Sequence, residues 1–145
     1  MSRLARRAGV VLAAAALGLA ACATPYQPEG YAGGYTEIQM RPKAWIVTFR
    51  GNGYTGSSRA QDMALLRACD LVLEAGCTHY QLVDAKTVSR YGGTVLTHGY
   101  YSSTAVPINK PESQIGVECA SPGYGMPAQP RADALRQKYG IELRD

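Results

Sequence analysis

The sequence predicts one small α+β domain over residues 43–145: a mainly antiparallel sheet of three to five strands, one long amphipathic helix packed on a face, and a short C-terminal helix. Three observations predict this fold. Residues 44–50 alternate like a strand, residues 58–76 repeat apolar side chains with a helical period, and the runs 78–84 and 115–120 alternate again. The chain after position 42 is long enough for one ordinary domain and too short for two.

The first strand is AWIVTFR, residues 44–50, in which Trp45, Val47 and Phe49 share one face. β-branched and aromatic residues favour a strand, and this face is fully apolar. Gly51-Asn52-Gly53 then ends the strand because these residues tolerate positive φ.

The long helix is predicted to begin at Ser58, which forms a capping box with Gln61, and to end at Gly76. Its charged and apolar residues fall on opposite faces, so one stripe packs on the sheet. The apolar stripe comprises Leu65, Ala68, Cys69, Val72 and Gly76, with Leu73 at its edge. A cysteine on such a stripe behaves as a small hydrophobe, so we expect a buried thiol there rather than a redox group.

The later strands are predicted at residues 78–84, with Tyr80 and Leu82 on one face, and at residues 115–120. Between them, residues 87–113 are rich in Gly, Ser, Thr and Tyr, and the sequence leaves open whether they form a hairpin arm or a long surface loop. Residues 130–140, PRADALRQKYG, read as a short helix with Pro near its start and Gly at its end. Its docking residues are predicted to be Ala134, Leu135 and Tyr139.

Residues 22–42 mix prolines, glycines and tyrosines without a lasting period of 2 or 3.6. Such a composition buries too little apolar surface to offset the entropy of ordering the chain. We therefore expect a flexible tether between the N-terminus and the domain.

The N-terminus, residues 1–21, resembles a bacterial lipoprotein signal peptide: three arginines, an apolar run from Gly9 to Ala21, and the lipobox Leu19-Ala20-Ala21-Cys22. The run of thirteen residues is shorter than the roughly twenty that a spanning helix needs. The resemblance implies that Cys22 is lipidated and becomes the first residue of the mature chain. Because Ala23 stands where an aspartate would retain a lipoprotein in the inner membrane, the expected location is the periplasmic face of the outer membrane.

The net charge of +4 comes mostly from this N-terminal segment. Arg3, Arg6 and Arg7 are three of the fifteen basic residues, and no acidic residue accompanies them, so the mature chain has twelve basic and eleven acidic residues. A nearly neutral chain has no basic footprint for a nucleic acid, and no nucleic-acid partner is expected.

Three cysteines remain after lipidation, and the oxidising periplasm permits a disulfide but leaves at least one thiol. Cys77 and Cys119, at strand-like positions, are the favoured pair, although sequence alone does not fix connectivity.

The run EIQMRPKAWIVTFRGNGYT, the later DMALLRACDLVLEAGCTHYQLVDA and the ending LRQKYGI resemble a family of small, uncharacterised proteobacterial lipoproteins of the Caulobacter type. In that family, alanine and an aromatic residue are expected where this chain has Cys69 and Cys77. The resemblance implies an envelope location and this fold, and it implies no activity.

The sequence contains no recognisable nucleophile motif or phosphate loop, so no enzyme and no cofactor are expected. A non-catalytic module that binds, scaffolds or senses is favoured, with Tyr91, His98, Tyr100 and Tyr101 as a loop for an envelope protein or a glycan, since tyrosines offer amphipathic contact area. The alternative is a periplasmic metal-binding protein or enzyme that uses Cys77, His79 and Cys119, although their spacing lacks the two close ligand pairs of a structural zinc site.

Overall fold

The α+β prediction is confirmed by a five-stranded antiparallel sheet and two helices in a computed structural model that describes residues 22–98 and 103–143. The predicted signal peptide, residues 1–21, lies outside the described residues. In chain order the elements are β1 (Gly34–Arg41), β2 (Ala44–Arg50), α1 (Ser57–Glu74), β3 (His79–His98), β4 (Ser103–Ala120), β5 (Met126–Pro127) and α2 (Ala128–Tyr139). The strands follow one another across the sheet in the order β1-β2-β4-β3-β5.

The core lies between α1 and one face of the sheet. Strand β2 has the predicted bounds, and its predicted inward residues, Trp45, Val47 and Phe49, are all buried. Ile115 and Val117 of β4 extend the same apolar surface because they pair beside Val47 and Trp45. The helix buries a broad stripe on this surface, comprising Ala60, Met63, Ala64, Leu66, Ala68, Cys69, Leu71 and Val72.

The sequence predicts the C-terminal end of α1 correctly and its N-terminal cap wrongly. The predicted capping box is wrong: the N-cap is Gly56, and among the described residues no side chain caps it. Ser58 is the second residue of the helix and therefore lies inside its first turn. The predicted end is confirmed, since Gly76 has φ +78° and donates to the Leu73 carbonyl, while the next N–H, at Cys77, returns to Val72.

Residues 22–42 are not the flexible tether that their composition predicts. Strand β1 pairs with β2 along its length, from Gly34 opposite Arg50 to Arg41 opposite Ala44. The Ile38 and Met40 side chains of β1 are exposed, so this edge strand is attached by backbone hydrogen bonds and leaves no amphipathic signal in the sequence.

The segment left open between strand and loop, residues 87–113, belongs to the long hairpin of β3 and β4, which pair from His79 opposite Ala120 to His98 opposite Ser103. Strand β2 accompanies β4 only as far as Glu112, opposite Arg50. In the part of the chain that the structure describes, the hairpin therefore continues as a two-stranded projection. We call its residues 89–98 and 103–111 the arm.

Two predictions about individual side chains need correction. Leu82, predicted to share a face with Tyr80, is 40% exposed although Tyr80 is buried, and the pairing of β3 with β4 shifts register directly after it, between Leu82 and Asp84. In α2, Ala134 is exposed, and Ala132 is buried with Leu135 instead, because α2 packs against the flank of α1 rather than on the sheet. Neither helix, nor any other within residues 22–98 and 103–143, is long and apolar enough to cross a membrane.

Truncating the core at Phe49 tests the role of this packing. Phe49→Ala leaves a cavity under α1 and should lower the free energy of unfolding by about 3 to 5 kcal/mol in urea denaturation. The matched control, Ile38→Ala, removes an exposed strand side chain and should lower it by less than about 1 kcal/mol. Equal losses in the two variants would contradict a core on this face of the sheet.

Candidate functional site

Cys22, the predicted lipidation site, lies at the surface of the domain rather than at the end of a leash. The residue is exposed, and its carbonyl accepts a 2.8 Å hydrogen bond from the Asn52 side-chain amide. The next residues are already inside the domain, since Ala23 is 8% exposed and Thr24 is fully buried. A group attached to Cys22 would therefore sit directly against the folded chain.

Thr24 is the centre of a buried polar cluster that holds this end of the chain. Its N–H donates to Thr55 Oγ1 at 2.9 Å, and its hydroxyl donates to the Ala32 carbonyl at 2.8 Å. The same hydroxyl oxygen accepts the Asn52 N–H at 2.8 Å. We call Thr24, Ala32, Asn52 and Thr55 the Thr24 node. It joins the N-terminal residues to the turn that follows β2.

Two exposed tyrosines flank the Thr24 node. Tyr31 is fully exposed and precedes Ala32 in the chain, while Tyr54 is 73% exposed. The Tyr54 N–H donates to Asn52 Oδ1 at 3.0 Å, and the Thr55 hydroxyl donates to the same oxygen at 2.9 Å. The surface around Cys22 thus presents two aromatic side chains to solvent.

The arm begins at this same end of the sheet. The Gly51 N–H donates to the Pro111 carbonyl at 2.8 Å, which binds the turn after β2 to the base of the arm. A Cβ on Gly53 would lie 2.7 Å from Ile108 Cγ2, so a glycine is needed for the turn to approach the arm this closely. Cys22 and the base of the arm are therefore linked through adjacent residues of one turn.

Two of the four predicted partner-binding residues lie on the arm. Tyr91 is 68% exposed on β3, and His98 is the last residue of that strand. The other two, Tyr100 and Tyr101, lie outside the described residues. At the base of the arm, Arg90 is paired in register with Lys110, and the Arg90 guanidinium forms a 2.7 Å ion pair with Glu112, which also accepts from Arg50 at 3.2 Å.

Cys77 and Cys119, the favoured pair, are joined by a disulfide with their Cα atoms 6.0 Å apart. The disulfide links the segment after α1 to the end of β4. His79 lies two residues after Cys77, and its Nδ1 is 2.9 Å from Thr78 Oγ1. Two of the three ligands in the alternative metal hypothesis, Cys77 and Cys119, are therefore bonded to each other and offer no thiolate to a metal ion. Within residues 22–98 and 103–143, no group of three His, Cys, Asp or Glu side chains is arranged to hold a metal ion.

The remaining cysteine of the domain, Cys69, is fully buried on α1, where the sequence places it. Burial, together with the nearby charge of Asp70, raises the pKa of the Cys69 thiol to about 12. Because the thiolate is the nucleophile, this cysteine is an inert core residue at neutral pH.

Sequence reasoning missed an open groove of about 740 Å³ between the N-terminal segment, α1 and the end of α2. Its centre is Asp70, which accepts hydrogen bonds from the Tyr26 hydroxyl and from Arg136, the latter at 2.7 Å to each carboxylate oxygen. Beside it, Arg67 forms ion pairs with Glu37 at 2.8 Å and Glu74 at 3.0 Å. The two Asp70 contacts join residues that are 44 and 66 positions apart in the chain, so no local sequence pattern predicts them.

The charges of Asp70, Arg136 and Arg67 in this groove are compensated by one another or by adjacent carboxylates. Burial, followed by the hydrogen bond to Asp70, raises the pKa of Tyr26, so the phenol stays protonated and keeps donating. Among the described atoms, Arg136 Nε is buried without a hydrogen-bond partner. The groove is best described as a clamp that holds the N-terminal segment and α2 onto α1.

No family model, curated protein or solved structure matches this chain. Function is therefore inferred from the geometry of Cys22, the Thr24 node and the arm. The three features share one end of the molecule, and two of them contain residues that the sequence had already singled out.

Removing the Thr24 hydroxyl tests whether the N-terminal segment is docked. Thr24→Val keeps the shape but leaves the Asn52 N–H and the Ala32 carbonyl unsatisfied, so the free energy of unfolding should fall by about 2 to 4 kcal/mol. Thr36→Val, at an exposed position of β1, should change it by no more than about 0.5 kcal/mol. If the Thr24 variant were as stable as this control, the N-terminal segment would not be docked and the flexible-tether prediction would stand.

Reduction of the Cys77–Cys119 bond tests the disulfide. The bond closes a loop of 42 residues, and opening it should lower stability by about 4 kcal/mol through the regained entropy of the unfolded chain. Thermal melts with and without dithiothreitol measure the effect as a fall in Tm. The double variant Cys77→Ser/Cys119→Ser should melt at the same temperature in both buffers, and a wild-type Tm indifferent to reductant would exclude the bond.

Proposed function

We propose that this protein is a lipid-anchored, non-catalytic binding module of the cell envelope. In this proposal, acylated Cys22 holds the domain directly against the periplasmic face of the outer membrane, and the arm is its binding surface. The observation that carries the proposal is the docking of residues 22–24 in the Thr24 node, at the end of the molecule from which the arm projects.

The lipobox and the geometry of Cys22 support the anchor. The lipobox predicts cleavage before Cys22 and acylation of the new N-terminus. Cys22 is exposed while the two residues after it are buried, so the modified residue can enter a membrane while its neighbours stay folded. Stable anchoring needs two signals such as two acyl chains, and a lipoprotein cysteine carries enough of them.

The arm and the state of the cysteines support binding rather than catalysis. A two-stranded hairpin alone in water is marginally stable, so a projecting arm with exposed side chains such as Tyr91 is suited to gain from a partner. Catalysis through Cys77 or Cys119 would need a thiolate that the disulfide does not supply, and Cys69 is buried and protonated.

Metabolic labelling with palmitate in the native envelope tests the anchor. The wild-type chain and the control variant Cys69→Ser should both incorporate labelled fatty acid, because Cys69 is buried in the core. Cys22→Ser should incorporate none, since the thiol that accepts the lipid is missing. Label retained by Cys22→Ser, or absent from the wild type, would refute the lipid anchor.

A further inference from the structure

We infer that the arm binds the same lipid bilayer that holds Cys22, lying in the headgroup region beside the anchor. The contact surface is the distal arm, which we define as residues 91–98 and 103–109. This inference rests on the proposed function and names the partner of its binding surface: a phospholipid membrane. Its support comes from charge, register and position.

The distal arm has no formal charge. None of its residues is Asp, Glu, Lys or Arg, and in the sequence the interval from Tyr91 to Asn109 is the longest uncharged run after Cys22. Soluble proteins usually place charges on exposed strand edges, which discourages pairing with other chains. An uncharged arm rich in Gly, Ser and Thr, with an exposed Tyr91, instead suits the interface between water and lipid, where tyrosines are enriched.

Two cations mark the point where the charge-free region begins. Arg90 on β3 and Lys110 on β4 are register partners, one residue outside the distal arm on each strand. The aliphatic stem of Lys110 lies over Gly92, because a Cβ there would meet Lys110 Cε at 2.7 Å. Arg90 is ion-paired with Glu112, so Lys110 is the cation of this pair that matches the anionic phosphates of a lipid headgroup layer.

The base of the arm lies next to the turn that contacts Cys22. Gly53, in the turn that carries the Asn52 contact to Cys22, lies beside Ile108 of the arm. From Gly93 opposite Ile108 to His98 opposite Ser103, the strands advance five residues, or about 17 Å at 3.3 to 3.4 Å per residue. An arm of this length, with its base next to the residues that contact Cys22, is long enough to contact a lipid surface in which the acyl chains of Cys22 are inserted.

The open edges of the arm limit how deeply it enters. In the described part of the chain, each strand of the distal arm pairs only with the other, so backbone groups on both outer edges are available to solvent. In hydrocarbon such groups would each cost several kcal/mol, whereas headgroups and water satisfy them. The arm is therefore an interfacial contact, and Tyr31 and Tyr54, which flank the Thr24 node, are exposed as well.

A pair of tryptophan reporters tests the contact on the full processed chain. Tyr91→Trp reports on the arm, and the matched control Tyr124→Trp reports on another exposed tyrosine, 88% exposed in the turn beyond the opposite end of β4. Each variant is reconstituted into phosphatidylethanolamine–phosphatidylglycerol vesicles with and without phospholipid brominated near the headgroup end of its acyl chains. Emission from Trp45 is common to both and is subtracted with the wild type.

We expect bromine to quench Tyr91→Trp and to leave Tyr124→Trp unchanged. Equal quenching at the two positions, or quenching at neither, would overturn the inference. So would a blue shift of Tyr91→Trp that follows protein concentration in lipid-free detergent, which indicates a second copy of the chain as the occupant. Palmitate labelling reports on Cys22 alone, so a failed anchor and a failed arm contact appear in different measurements.

Discussion

The packing of α1 on one face of the sheet is the contact on which the rest of this structure depends. Val47, Phe49 and Val117 have no exposed surface, and together with the helix stripe they provide most of the apolar burial. α2 extends the same apolar core, because its Ala128, Ala132 and Leu135 are buried against the flank of α1. β1 instead attaches through backbone pairing, and residues 22–24 attach through buried hydroxyls.

The sequence predicts those elements whose energy comes from periodic burial. The bounds and the inward face of β2 follow from alternation, and Gly76 ends α1 because a left-handed residue is needed there. Prediction from the sequence fails for elements that are held by backbone hydrogen bonds or by polar contacts between distant residues. β1 exposes Ile38, so it shows no apolar face, and the partners of Asp70 in the groove come from distant parts of the chain. The choice between arm and loop depended on pairing of β3 with β4, which composition does not encode.

The Thr24 node changes what a lipid on Cys22 would do. A leash of twenty flexible residues would let the domain sample many orientations at many heights above the membrane. A docked N-terminus would restrict both, because Thr24, two residues from the proposed anchor, is buried and hydrogen-bonded. Polar side chains perform this task better than apolar ones, since an unsatisfied buried hydroxyl or N–H disfavours every alternative arrangement.

Under the proposed anchoring, a restricted orientation would make even a weak contact by the arm effective. An anchored domain meets the lipid surface at a high local concentration, so the second contact costs little additional entropy, provided that the geometry permits both at once. The close approach of Gly53 to Ile108 provides that geometry, because it places the arm beside the residues that hold Cys22. Under the proposed arrangement the disulfide and the turn around Tyr124, beyond the opposite end of β4, face away from the membrane. In that arrangement, attachment at one end and the disulfide at the other would divide the molecule into a half that faces the lipid and a half directed into the periplasm.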